Sequence, residues 1–270
     1  MTGYPALSGE TAVVPILGDP IGQVKSPDGV TRALTARGAN AVVVPMHVTA
    51  PDFDRFVDAI ALAGNVGGLI VTVPHKFAAH AHCATATERA QLLGSVNVMR
   101  RNADGTWHGD QVDGLAFARA AMAAGARLDG AAVLQIGAGG AGSAIALALL
   151  EAGAAELAVH DADPARRDAL LDKLAGRFGA RVVTGSADPA GRSVVVNTTP
   201  MGMRPEDPLP VAADRLAPPM FVGDVVTRPE VTPLIEAARR AGCRTVTGGG
   251  MFAAVAELVA DFLVRDGGLE

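Results

Sequence analysis

The feature that most constrains this chain is a glycine-rich hexapeptide, Gly137-Ala138-Gly139-Gly140-Ala141-Gly142. It lies between a predominantly apolar run at 131–136 and a helix-forming apolar stretch at 142–152. An apolar run without alternation reads as a strand buried on both faces, the condition of a parallel sheet covered by helices. A chain that leaves such a strand through Gly-x-Gly-x-x-Gly and enters a helix can cradle a pyrophosphate. The first glycine permits the tight turn, and the second lets backbone N–H groups approach the anion. The third lets helix and strand pack closely, and the helix N-terminus adds partial positive charge. Strand before and helix after turn a common pattern into an expectation of dinucleotide binding, seated on Gly137, Ala138, Gly139, Gly140 and Ala141. The next strand, 156–160, ends at Asp161. A carboxylate there accepts hydrogen bonds from both ribose hydroxyls and repels a 2′-phosphate. NAD is therefore expected over NADP. NADP stays open because Arg166 and Arg167 lie a helical turn further on and either could reach a phosphate.

The rest of the chain alternates in the same way. Strands are expected at 13–18, 41–48, 68–73, 156–160, 181–184, 193–198, 221–226 and 244–247. Helices are expected from 27, at 52–62, from about 75 to 93 with a break near Cys83, at 113–124, 163–178, 233–241 and 251–264. Ser26 would cap the first helix, with Pro27 at its first position. The runs 95–101 and 106–112 flank Asn102-Ala103-Asp104-Gly105, a turn sequence, and read as an antiparallel pair. Alternating strands and helices imply parallel sheets. The pattern restarts near Asp113, which predicts two α/β domains with a cleft between them.

Composition removes several classes of partner. Residues 130–150 carry no charge and are long enough for a bilayer, but five glycines punctuate them, so strand–turn–helix is expected and no membrane span. A net charge of -5 with no basic stripe argues against nucleic acid. Cys83 and Cys243 stand far apart and are expected as reduced thiols in a cytoplasmic chain. Residues 1–5 show no signal segment. His80-Ala81-His82-Cys83 is not expected to hold a metal, because positions two apart on a helix do not share a face.

Several short motifs occur in a fixed order: Gly18-Asp19-Pro20-Ile21 with Ser26-Pro27, Val71-Thr72-Val73-Pro74-His75-Lys76, Gly94-Ser95-Val96-Asn97, and Gly109-Asp110-Gln111-Val112-Asp113-Gly114. Then follow Asn197-Thr198-Thr199-Pro200-Met201-Gly202-Met203, Thr232-Pro233-Leu234 and Gly248-Gly249-Gly250-Met251. Together with the glycine turn, this series resembles the shikimate/quinate dehydrogenases over nearly the whole chain. The resemblance implies an N-terminal substrate domain at 1–113, with 249–270 returning to it as a final helix. It implies a Rossmann-type, doubly wound nucleotide-binding domain at 114–248. It implies an NAD(P)-dependent oxidoreductase of aromatic amino acid biosynthesis, monomeric or homodimeric, acting on a cyclic hydroxy acid. Lys76 and Asp113 would form the catalytic pair. That pairing makes chemical sense, because alcohol oxidation needs a hydroxyl proton removed as hydride leaves. By the same carry-over, Ser26, Thr72 and Asn97 would hydrogen-bond the substrate, and Thr198, Thr199, Pro200, Gly248 and Met251 would line the cofactor. A non-catalytic nucleotide sensor on the same fold is the competing expectation, and it would have no need of Lys76 with Asp113.

The departures from the family pattern cluster where substrate is read. Val24 stands for a serine, Ile70 for an asparagine, Gln111-Val112 for Asn-Thr, Thr227 for a tyrosine and Val255 for a glutamine. A substrate hydroxyl left unpaired in a closed pocket costs roughly 1–3 kcal/mol. The expectation is retained chemistry with a substrate less polar than, or substituted differently from, the usual triol acid.

Overall fold

The computed structural model describes residues 5–265 and Leu269. Of the residues read for a signal segment, 1–4 lie outside the described residues, as do 266–268 and 270 of the returning C-terminal segment. The chain divides into two compact units, one of Met1–Val112 with Val255–Glu270, the other of Asp113–Ala254.

The first unit holds β1 (Ala12–Gly18), α1 (Ser26–Ala36), β2 (Ala41–His47), α2 (Phe53–Ile60), β3 (Gly68–Val71), α3 (Lys76–Ala81), β4 (Cys83–Ala86), α4 (Glu88–Leu93), β5 (Val98–Arg101) and β6 (Trp107–Asp110). Its sheet runs β2-β1-β3-β5-β6-β4. β1 is parallel to β2 and β3, β5 is antiparallel to β3 and β6, and β4 is parallel to β6. Leu17, Leu69, Val71 and Met99 form the core with Phe53 and Val57. Phe53 and Val57 stand four apart on α2, so they share the face turned to the sheet, and Asp54, Arg55 and Asp58 turn away.

The antiparallel pair flanking the Asn102–Gly105 turn sequence is β5 and β6, although β6 ends at Asp110 rather than 112. One local expectation needs correction. Ser26 is not the helix cap. Lys25 already has helical dihedrals (φ -103, ψ -11), so α1 starts one residue early and buries Ser26 in its first turn. The break expected near Cys83 in the helical stretch from about 75 to 93 is a strand, because Cys83–Ala86 pairs with β6, Cys83 opposite Trp107 and Ala86 opposite Gly109.

The second unit begins with α5 (Asp113–Ala123) and continues through β7 (Ala132–Ile136), α6 (Gly140–Glu151), β8 (Glu156–His160), α7 (Pro164–Phe178), β9 (Val182–Thr184), β10 (Val194–Asn197), β11 (Phe221–Asp224), α8 (Pro233–Arg240) and β12 (Arg244–Val246). The last helix, α9 (Gly248–Val264), starts in this unit and ends in the first. The sheet order is β12-β11-β10-β7-β8-β9, parallel throughout. Chain order therefore reverses between β7 and β10, which makes the ends of those two strands the switch point of a doubly wound sheet. Helices on both faces explain why Val133, Leu134, Ile136 and Val194–Asn197 are buried without alternation.

Two helices start earlier than their periodicity suggests. α6 begins at Gly140 because Ser143 N already donates to Gly139 O at 2.7 Å. α9 begins at Gly248 because Met251 N reaches Thr247 O at 3.0 Å, and the Thr247 hydroxyl accepts from Gly250 N at 3.2 Å. Among the described residues, no helix is long and apolar enough to cross a membrane.

Candidate active site

The glycine turn occupies the switch point of the second unit. Gly137 has φ +105, a region side chains avoid, and a Cβ there would lie 2.6 Å from Thr198 Oγ1. A Cβ on Gly142 would lie 2.6 Å from Gly137 O and equally close to Thr198 Oγ1. These two positions admit only glycine, for the turn and for the helix-to-strand approach. Gly139 differs, because its backbone is extended (φ -73, ψ -171) and a Cβ would meet nothing within 4 Å. The open face beside Gly139 stands at the N-terminus of α6, a twelve-residue helix whose first amides carry partial positive charge. A pyrophosphate fits this cradle: donors and space coincide there, and the neighbouring glycines hold the turn that presents them.

Asp161 is buried beside the turn. Its Oδ2 accepts from Ala138 N at 2.7 Å and its Oδ1 from Asp163 N at 2.8 Å. The carboxylate thus braces the turn, with further lone pairs on each oxygen. Asp163 caps α7, accepting from Ala165 N at 3.0 Å. Arg166 lies 3.8 Å from Asp163, and Arg167 donates to Asp168 at 2.8 Å.

The loop after β10 is latched by side chains. Thr198 Oγ1 donates to Ile136 O and Gly137 O, joining it to the glycine turn. Thr199 Oγ1 donates to Asn197 Oδ1 at 2.7 Å and accepts from Met201 N at 3.1 Å. Asn197 Nδ2 donates to Met201 O and to Asp224 Oδ1. Asp224 also accepts from Val226 N and from the Thr232 hydroxyl, the latter at 2.7 Å. Burial pushes the Asp224 carboxyl up to about 6, against the pull of those donors. Pro200 is exposed on this loop, and Met203 N closes back onto its carbonyl. A Cβ on Gly248 would lie 2.5 Å from Val225 O, so glycine lets α9 start directly against the chain after β11. Met251 is buried in the first turn of α9.

In the first unit, backbone bonds bring Thr72, Lys76 and Asn97 to one end of the sheet. Thr72 N donates to Leu17 O, Val96 N to Lys76 O and Val71 N to Asn97 O. Thr72 packs against Gly18, where any Cβ would collide with its methyl group. Lys76 is buried as the first residue of α3. The residue before it, His75, is a fixed post: its Nε2 lies 2.7 Å from Val48 O, and its ring stacks on Phe53 at 4.4 Å. Asn97 Oδ1 accepts from Val112 N at 3.0 Å. Asp110 fastens the same segment, accepting from the Thr87 hydroxyl and Gln111 N and pairing with Arg89, while Arg89 Nε donates to Gln111 O. Two residues beyond Gln111, at the start of the second unit, Asp113 opens α5 and is buried. Gly114 then lets α5 and α6 touch backbone to backbone, since a Cβ would lie 2.6 Å from the Ala144 carbonyl carbon. Ser26 is buried at the start of α1. Of the departures, Ile70 and Gln111 are buried, and Val24, Thr227 and Val255 are half-buried.

Sequence reasoning missed His75, Thr87, Arg89 and the roles of Asp110 and Asp224. Each acts through a partner distant in sequence, so spacing carries no signal for them. Only Asp224, an acid closing an apolar run, stands out.

The family model of the shikimate dehydrogenase substrate binding domain matches residues 16–99. Among curated relatives, the shikimate dehydrogenase (NADP(+)) of Rubrobacter xylanophilus is 37% identical over 250 residues, 90% of this chain and 87% of the relative. Among solved structures, a shikimate dehydrogenase in complex with NADP+ superposes with TM-score 0.88 at 26% identity, over 96% of this chain and 92% of that one. The shikimate 5-dehydrogenase of Listeria monocytogenes, in complex with shikimate and NAD, gives TM-score 0.84 at 26% identity, over 94% and 92%.

Proposed function

This chain belongs to the shikimate dehydrogenase family, and from that premise we propose that it is an NAD(P)-dependent dehydrogenase acting on a ring hydroxyl of a cyclic hydroxy acid such as shikimate. The observation that carries this reading is the glycine cradle at the switch point, with its open face at Gly139 and glycine enforced at Gly137 and Gly142. When bound, the dinucleotide supplies the nicotinamide ring that takes or gives the hydride.

The protein's own residues divide the remaining work. Gly137 to Ala141 and the first turn of α6 hold the pyrophosphate. The loop bearing Thr198, Thr199 and Pro200, with Gly248 and Met251, lines the nicotinamide side. Residues 1–113 with 249–270 form the substrate domain, and 114–248 the nucleotide domain. Ser26, Thr72 and Asn97 bind substrate. Lys76 Nζ takes the hydroxyl proton during oxidation and returns it during reduction, and Asp113 orients the amine. A nucleotide sensor would have no use for a buried lysine and a buried aspartate, each fixed at a helix start.

For the choice of dinucleotide we favour NAD. A buried carboxylate at Asp161 disfavours a 2′-phosphate, and the two arginines that could offset it face Asp163 and Asp168. For the substrate we favour a ring acid less polar than shikimate or substituted differently, because Val24, Ile70 and Val255 offer no hydrogen bonds. Incubating the purified chain with a panel of cyclic hydroxy acids, shikimate and quinate included, and either dinucleotide, while following absorbance of the reduced nicotinamide, tests all three statements. No turnover with any acid would sink the dehydrogenase reading. Efficiency on shikimate equal to that of the relatives would sink the altered substrate alone.

A further inference from the structure

Gln135 is the one polar side chain of β7, and it is fully buried. Its Nε2 donates to Gly137 O at 2.8 Å and to Gly142 O at 2.9 Å, so a single amide spans both ends of the glycine turn. The orientation is forced, because the flipped amide would aim an acceptor at two carbonyl oxygens. Its Oε1 is buried with no hydrogen-bond partner among the described residues. An orphaned buried acceptor is costly, and an aliphatic side chain would suit the core of this sheet better if packing alone mattered.

We propose that Gln135 is a positioning residue of the dinucleotide site. Its amide draws the carbonyls of Gly137 and Gly142 into the interior of the turn, helped at Gly137 by the Thr198 hydroxyl. With those carbonyls held inward, the first amides of α6 face the pyrophosphate without a competing negative dipole beside them. The proposal rests on the reading of the turn as the dinucleotide site.

Q135M keeps the side-chain volume and removes the amide. Calorimetric titration of the full chain with NAD+ and NADP+ reads affinity apart from turnover, and thermal unfolding of the unliganded protein reads the fold. The expected result is a dinucleotide Kd raised about tenfold with an unchanged or higher unfolding midpoint. A purely structural glutamine would give the opposite pair, a lowered midpoint with unchanged Kd, and that result overturns the proposal. If the unmodified chain binds neither dinucleotide, the reading of the turn falls and takes the role of Gln135 with it. If the unmodified chain and Q135M bind alike, only the role of Gln135 falls. Should Q135M not fold, Q135E retains one donor when its carboxyl is neutral. It is expected to bind with intermediate affinity, and affinity equal to the parent's overturns the proposal.

Discussion

Asn197 and Asp224 face each other across the parallel pair β10 and β11, and the Asn197 amide donates to Asp224 Oδ1 at 3.1 Å. Through this bond a buried carboxylate ties together three segments: the loop after β10, the chain after β11, and Thr232 at the start of α8. The loop proposed to face the nicotinamide is held from below by a titratable group.

That arrangement has a pH consequence. Burial raises the Asp224 carboxyl from 3.8 to about 6, so the native state holds this proton more tightly than the unfolded chain. Its contribution to stability is fully present below about pH 4, declines as pH rises through about 6, and is level above that. A rise from 3.8 to about 6 corresponds to roughly 3 kcal/mol at most. Asp224→Asn abolishes the titration. Urea unfolding across pH 4 to 7 should show the parent losing stability relative to Asp224→Asn as pH rises, and a constant difference would refute the assignment.

The glycines of the turn separate steric need from ligand need. In Gly142→Ala the new methyl group must displace the Gly137 carbonyl, which is backbone. A loss of about 1–3 kcal/mol in denaturant unfolding is expected, the usual range for an overpacked site. Gly139→Ala meets nothing within 4 Å, so stability should stay within about 0.5 kcal/mol of the parent. Its methyl group nevertheless fills the face where the pyrophosphate is proposed to lie, and dinucleotide affinity should fall at least about tenfold by calorimetry. Normal affinity in Gly139→Ala would place the anion elsewhere.

What could be read in advance, and what could not, follows from the range of the interactions. The strand, turn and helix around Gly137 were legible because apolar continuity and glycine spacing are local. The parallel order of the second sheet follows from alternation. β4 was legible only as a break near Cys83: Cys83–Ala86 is rich in alanine, and only pairing with Trp107 to Gly109 makes it a strand. Ser26 looked like a cap because serine favours that position, but Lys25 had already entered helical dihedrals. Gln135 carries no signal of its own inside the run at 131–136. Its partners, two carbonyls of the turn, appear only once the turn has folded back on the strand.

The proposed dyad predicts a separation of binding from chemistry. Lys76→Ala removes the group assigned to the hydroxyl proton and should lower kcat by about 10²–10⁴-fold, the usual worth of a positioned acid–base group. Dinucleotide Kd should stay near the parent's, since the cradle lies wholly in the second unit. Asp113→Asn keeps the shape but not the charge and should lower kcat less. Steady-state kinetics with calorimetry on the same preparations makes the comparison. Retained turnover in Lys76→Ala would remove the lysine from the mechanism.

Asp161 offers the sharpest test of cofactor choice, because its two functions can be separated. Asp161→Asn keeps an acceptor for Ala138 N, now bonded at 2.7 Å, gives up the acceptor for Asp163 N, and removes the negative charge. If that charge repels a 2′-phosphate, NADP should gain on NAD by about tenfold in kcat/KM, the size of a partly screened charge interaction. Asp161→Ala removes the brace as well, so both dinucleotides should bind more weakly. An added effect of salt is expected in the parent only, where rising ionic strength screens the repulsion and narrows the preference for NAD. If Asp161→Asn leaves the ratio of the two dinucleotides unchanged, the ribose is read by other residues, and Asp161 serves the turn alone.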